Sequence, residues 1–307
     1  MKNLILFCLY LMPFYAMAQE NVPVEKKGRE SYIYWGYHRN FYAPSDIHYV
    51  SDRYDFTLVD AKANDMPADL DQYFKLKQFS VPQFNFRMGT ELKNNWFLSL
   101  GYDHHKYRLT QTQNMKIEGY IDPSCLTYYN PDPADGSTYV GQFNAGDTVL
   151  YKRSFMDFHH SNGMNYIRVQ LEKRGTVFQF PKIKSRLDLY GGVGTGAVIC
   201  WTDYTFMRQR YLNNLHFSGI GISAVYGARF VINDCFFIQH GFQNGINYLF
   251  NIQLEKHAAG DGINDGNARA SQTIHYFERG VQVGYVFRVG KKKEPKKKFS
   301  NTITPSF

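Results

Sequence analysis

Apolar and polar residues alternate along most of this 307-residue chain, from Tyr32 to Val289. Phe84, Phe86 and Met88 are interleaved with Gln83, Asn85 and Arg87. Trp96, Leu98, Leu100 and Tyr102 are interleaved with Ser99, Gly101 and Asp103. Ile167, Val169 and Leu171 alternate with Arg168, Gln170 and Glu172, and Val281, Val283, Tyr285 and Phe287 with Gln282, Gly284 and Arg288. A period of two is what a strand shows when its two faces meet different surroundings. Helical spacing is not sustained beyond the N-terminal segment.

The connections between these runs come in two lengths. Lys93-Asn94-Asn95, Lys173-Arg174-Gly175 and Asn233-Asp234 are short turn signals. Long polar stretches near 43–79, 112–148, 203–215 and 255–271 lie between them. Outer-membrane barrels have short periplasmic turns and long external loops. This rule predicts strands near 30–41, 80–92, 95–110, 148–172, 184–202, 216–232, 235–252 and 272–289. The fold class is therefore all-β, an antiparallel transmembrane β-barrel of eight strands with both termini in the periplasm. Two features leave ten or twelve strands open. The stretch 148–172 is long for one strand, with a bulge signal at Asn162-Gly163, and Tyr54 to Val59 can pair inside the first loop.

The chain ends complete the domain reading. Lys2, the apolar run Leu4 to Met12 and Ala16-Met17-Ala18 have the form of a cleavable export signal over residues 1–18. The barrel is expected over 19–290 and a basic periplasmic tail over 291–307, placing the protein in the outer membrane. No later segment has the roughly 18 uninterrupted apolar residues of a membrane helix, and mean hydropathy is −0.43. Alternating strands average to such a value, while 24 Tyr and 25 Phe exceed the needs of a soluble domain. Barrels place such rings at the two membrane interfaces.

Cys8 leaves with the signal, and Cys125, Cys200 and Cys235 are too scattered for a disulfide framework. Much of the net charge of +8 sits in Lys291 to Lys298, where six Lys face one Glu. Without interleaved aromatics or a motif, this run does not point to nucleic acid. Gly280 to Val289 resembles the aromatic-rich closing strand of outer-membrane barrels, with an assembly signal on Phe287, so the barrel assembly machinery is an expected partner.

The densest polar cluster runs from Asp157 to Asn165. On an extended strand Asp157, His159 and Ser161 share one face. Unbroken parity puts them on the lipid-facing row of Ile167, Val169 and Leu171, which is costly for polar groups. A bulge at Asn162-Gly163 would instead flip the register and send them inward. A Ser hydroxyl becomes a nucleophile when a nearby His takes its proton and a third group orients that His. Backbone N–H groups near Asn162 and Gly163 would support an oxyanion. The bland alternative is a hydrogen-bonded patch at the end of a strand.

His159-His160-Ser161-Asn162 resembles the His-x-Ser-Asn motif of outer-membrane lipid A 3-O-deacylases, eight-stranded barrels with a Ser–His–Glu site on the outer face. The resemblance covers about seven residues. It implies Ser161 as nucleophile, His159 as base and Asn162 in the oxyanion environment. Asn165 stands where that family has its acid, and Glu172 or Asp157 are the substitutes. The whole chain, through its aromatic strands, the Tyr32 to Asp60 region and Gly101-Tyr102-Asp103-His104, resembles a group of barrel proteins of Bacteroidetes-type bacteria.

Other candidates are weaker. His104 and His105, with Asp103 and the pair at 159–160, lack a fixed metal-ligand spacing. Asp261 and Asp265 fail the calcium-loop spacing. Gly191 to Gly196 has no helix after it and reads as a curved strand. No cofactor and no metal are expected, and oligomeric state is not indicated. The leading expectation is a lipid-acting hydrolase that deacylates lipid A or related acyl esters. The alternatives are a non-enzymatic barrel with a structural, adhesive or binding role through its loops, or a small-solute pore.

Overall fold

The computed structural model describes residues 28–78, 80–128, 136–254, 257–258 and 267–290. The expected signal, the basic tail, and Asp261 with Asp265 lie outside the described residues.

Eight long strands form a closed ring. They are β1 (Arg29–Tyr42), β2 (Phe84–Lys93), β3 (Trp96–Leu109), β4 (Met156–Phe180), β5 (Ser185–Cys200), β6 (His216–Ile232), β7 (Phe236–Gln253) and β8 (Arg269–Val289). Each pairs antiparallel with the next, and β1 pairs with β8 from Arg29↔Val289 to Tyr42↔Tyr276. Closure leaves no open strand edge, which is what backbone polar groups require in lipid. The additional strands of the 17-stranded sheet lie in the loops. Tyr54 to Ala61 does pair, as anticipated, but with Ser45–Val50 and Gln113–Ile121 above the ring.

Two of the short turns form where expected. Asn94 and Asn95 have φ of 53° and 62°, and Asn233 and Asp234 have 51° and 57°. These are the positive angles that two-residue hairpins demand. The third turn is corrected. β4 runs straight through Lys173-Arg174-Gly175 and turns only at Pro181–Ile183. The reason is that Arg174 is a lumen residue, held by Glu172 and Glu30, so its polarity reports an inward position.

The outward row is apolar. Met88, Leu98, Leu100, Ile167, Val169, Val193, Ile220, Ile222, Ile238, Val281 and Val283 are all exposed. A contiguous belt of this kind marks a surface that meets membrane. Aromatic rings bound it. Trp96, Phe236, Tyr285 and Phe287 lie toward the turn end, whereas Trp35, Tyr37, Phe84 and Tyr102 pack in sequence toward the loop end. The chain is thus an outer-membrane β-barrel, and its loop end is the external end by the same rule.

The inward row is polar and packed. Asp103 is fully buried, accepts from Arg168 at 2.6 Å and Asn85 at 2.9 Å, and is ion-paired with Arg87 at 3.6 Å. Arg168 also reaches Ser223, Gln170 and Gln243. The Arg174 guanidinium lies 4.2 Å from the Tyr32 ring centre and 3.9 Å from that of Phe97. Glycines make room for these groups: a Cβ on Gly101 would sit 2.4 Å from the Arg87 guanidinium. Above them, Tyr49, Phe56, Phe155, Phe158, Tyr204 and Phe206 form an apolar core in the cap.

Removing one partner of a buried ion pair leaves the other charge unpaired, at a cost of about 3–5 kcal/mol. Asp103→Leu should therefore lower unfolding stability by about that amount, measured from the urea midpoint in detergent micelles. An unchanged midpoint would show that Asp103 does not hold the lumen together.

Candidate functional site

The cluster at the start of β4 is set by a bulge. His160 stands opposite Tyr107 of β3, but the next aligned pair is Met164 opposite His105. Four steps along β4 therefore match two along β3, so two residues are inserted rather than one. Gly163 absorbs the irregularity with φ of +120°, and a Cβ there would strike the Asn165 amide at 2.4 Å. A one-residue bulge flips parity, whereas a two-residue bulge preserves it. The bulge at Asn162-Gly163 is thus present but does not send the cluster inward. Met156, Phe158 and His160 face the buried interior, and Asp157, His159 and Ser161 stay on the outer side.

Polar groups persist on that side because this part of β4 lies beyond the girdle. The Tyr102 hydroxyl donates to Asn165 at 2.6 Å, and His159 is six residues further toward the loops. There β4 pairs with Asp203–Phe206, a short strand that sets Asp203 opposite His159. Asp203 escaped the sequence reading, because only this pairing brings it to the cluster and no motif surrounds it.

His159 sits between two carboxylates. Its Nε2 is 3.4 Å from Asp203 Oδ2 and its Nδ1 is 3.5 Å from Asp157 Oδ1. The Ser161 hydroxyl donates to Asp203 Oδ2 at 2.7 Å. Arg108 donates to both oxygens of Asp157, at 2.9 and 3.2 Å, and Arg153 approaches the same group at 3.5 Å. Arg210 reaches Asp203 Oδ1 at 3.2 Å. Arg108, Arg153, Asp157, His159, Asp203 and Arg210, with Arg208, line an open cleft of about 740 Å³. Four arginines against two aspartates leave it at +2, and a charged His159 makes it +3.

The electrostatics separate the neighbouring histidines. Burial disfavours the charged ring of His159, but Asp157 and Asp203 outweigh it and raise its pKa above the ordinary histidine value. Burial among Phe158 and Tyr107, reinforced by the charge of His159, pushes His160 down to about 3. His160 is therefore a neutral member of the cap, bonded to Thr202 at 3.1 Å. Asp203 is lowered by its hydrogen bond to His159, with Ser161 and Arg210 contributing.

The remaining candidates go elsewhere. Asn165 accepts from Tyr102, lies 2.8 Å from His104 Nδ1 and donates to the Ile199 carbonyl. Glu172 is in the lumen with Arg174, Gln170 and Tyr32, on the opposite face of the wall. Asn162 is exposed, and the Gly163 carbonyl accepts from the Trp201 N–H at 2.9 Å. His104 and His105 point to opposite faces, so the histidine pairs do not meet as a metal site. Cys125, Cys200 and Cys235 form no disulfide.

No protein-family model matches the chain, and no curated protein matches it. Several solved structures do. The OprG outer membrane protein from Pseudomonas aeruginosa is 9% identical, covering 87% of this chain and 100% of its own, with a TM-score of 0.36. Ail of Yersinia pestis, solved in complex with the heparin analogue sucrose octasulfate, is 11% identical over 85% of this chain and 100% of its own, at 0.31. The outer membrane protease OmpT from Escherichia coli is 8% identical over 87% and 99%, at 0.26.

Because the folded-state pKa of His159 is raised, its stabilising effect is complete below about pH 6.5, the unfolded value. It is lost as pH rises through the folded value. Asp157 and Asp203 are depressed, so their contribution is present above about pH 3.9 and lost as pH falls. The cluster holds fully between those limits. Titration of the His159 ring followed by NMR should give a midpoint above that of free histidine; a midpoint at or below it would contradict the two-carboxylate clamp.

Proposed function

We propose that this chain is a non-porin outer-membrane barrel that binds an anionic lipid headgroup, the phosphates of lipid A, in the arginine cleft of its loop-end cap. The observation that carries this reading is placement. Arg108, Arg153, Arg208 and Arg210 exceed the carboxylates they surround, and they open outward just beyond the aromatic girdle. Phosphate-bearing headgroups occupy that level of a membrane. Arginine pairs with phosphate through two parallel N–H donors, which adds geometric selectivity to charge attraction. A lumen filled by charged and aromatic side chains gives solutes no path, so binding on the wall and cap is favoured over transport.

Deacylation of lipid A or a related acyl ester is the second reading. It is favoured by the joining of Ser161 and His159 through Asp203 on the lipid-accessible side. The resting geometry does not yet activate the nucleophile, since Ser161 donates to Asp203 rather than to His159, and the two carboxylates favour the charged form of that ring. Hydrolysis requires Ser161 to turn onto a neutral His159, with Asp157 or Asp203 orienting the ring.

One experiment separates the two readings. The purified chain is mixed with bisphosphorylated lipid A or its dephosphorylated form, affinity is measured, and the recovered lipid is weighed by mass spectrometry. Arg153 and Arg210 are 71% and 65% exposed, so Arg153→Gln/Arg210→Gln should fold. The binding reading expects at least tenfold weaker affinity for the double variant and for dephosphorylated lipid, with no change in lipid mass. Equal affinities would overturn it. Loss of one acyl chain, abolished by Ser161→Ala, would establish the hydrolase instead.

A further inference from the structure

Inside the barrel, on the far side of the wall from the arginine cleft, three side chains converge without the partners that buried polar groups need. Glu278 Oε2 lies 3.2 Å from His38 Nδ1 and 3.0 Å from His105 Nε2. All three residues are buried, and their facing atoms lie within 4.8 Å of one another. Despite this proximity, Glu278 Oε2 and both nitrogens of His105 have no hydrogen-bond partner of acceptable geometry. Lone-pair atoms that face each other near 3 Å without an aligned hydrogen bond are positioned to share a cation as ligands.

Charge balance strengthens this reading. The other carboxylate of this region, Asp103, is matched by Arg168 and Arg87. Glu278 has no arginine or lysine; its ion-pair partners among the described residues are His38 and His105. With both imidazoles neutral it is a buried charge without compensation, which is strongly unfavourable.

We propose that His38, His105 and Glu278 form a binding site for a first-row divalent metal ion, with Zn²⁺ the best fit. Two imidazoles and one carboxylate, with a fourth position for water, suit Zn²⁺. Bond lengths near 2.1 Å in tetrahedral geometry put neighbouring donors about 3.4 Å apart. The two measured edges need only a few tenths of an ångström of expansion, and the third must close to meet them. A supporting contact is in place: Asn85 donates to Glu278 Oε1 at 3.2 Å and leaves Oε2 toward the histidines. Such outer contacts orient metal-binding carboxylates. Asn40 approaches His38 Nδ1 at 3.3 Å but already donates to Gln83 at 3.0 Å, so it keeps a partner when the ion takes that nitrogen.

The ligands come from β1, β3 and β8, and β1 with β8 is the seam that closes the ring. The ion therefore staples the first strand of the barrel to the last. All three ligands are buried, so the ion is expected to enter as the ring closes.

The full-length protein is folded into detergent with Zn²⁺, dialysed, and assayed for metal by mass spectrometry. About one equivalent of Zn²⁺ per chain is expected, with at least a tenfold loss in Glu278→Gln and in His38→Gln/His105→Gln. Folding of each variant is scored by the gel mobility of the unheated barrel. Co²⁺ incorporated into wild type in place of Zn²⁺ requires no variant and should give the intense visible bands of a four- or five-coordinate ion. Metal retention equal to that of the double variant would overturn the proposal. So would a Co²⁺ spectrum identical to the hydrated ion, leaving a carboxylate bridging protonated histidines.

Discussion

A charged group inside an eight-stranded barrel has almost no water to turn to, and this constraint organises the molecule. Arg87, Arg168, Arg174 and Arg229 are all buried in the lumen. Each must find its partners among other lumen side chains, as Arg168 does with Asp103 on the adjacent β3 and with Gln243 across the lumen on β7. These bonds tie distant parts of the chain and set strand register from within, while the lipid-facing row can remain uniformly apolar. The interior glycines follow from the same crowding, since a Cβ on Gly245 would lie 2.3 Å from the Tyr276 ring.

The constraint also accounts for the outward position of the proposed binding cleft. A lumen filled by paired charges and aromatic rings, with an apolar cap above it, has little room for a substrate. Surface left for binding lies beyond the girdle, where β4 outgrows the membrane and the loops add strands. The two-residue bulge at Gly163 belongs to this transition. It keeps Asp157, His159 and Ser161 outside while Phe158 and His160 anchor the cap.

Much of the wall was legible in the chain because a period of two survives wherever lipid and lumen lie on opposite sides. Phe84 to Met88, Trp96 to Tyr102 and Val281 to Phe287 all fall on strands with the expected faces. The misread turn at Lys173 to Gly175 has a physical origin: in a lumen, arginine is an interior residue, and composition alone cannot separate it from a solvated turn. The bulge was visible as Asn162-Gly163, but its width depends on pairing with β3. Asp203 and the meeting of His38, His105 and Glu278 depend on strand neighbours far apart in sequence, which local spacing does not encode. Asn165 and Glu172 followed a resemblance in spacing, but Glu172 faces the lumen, and Asn165, six residues along the outer face from His159, is engaged by Tyr102 and His104.

The central claim is that the cluster at the bulge faces the outer surface and not the lumen or the periplasm. Its most direct measurement is labelling of Asn162→Cys by a membrane-impermeant maleimide on intact cells, with the native cysteines replaced by serine. Asn162 is exposed beside Ser161, so prompt labelling of intact cells is predicted. Labelling only after the outer membrane is permeabilised would place the loop end in the periplasm and contradict the account.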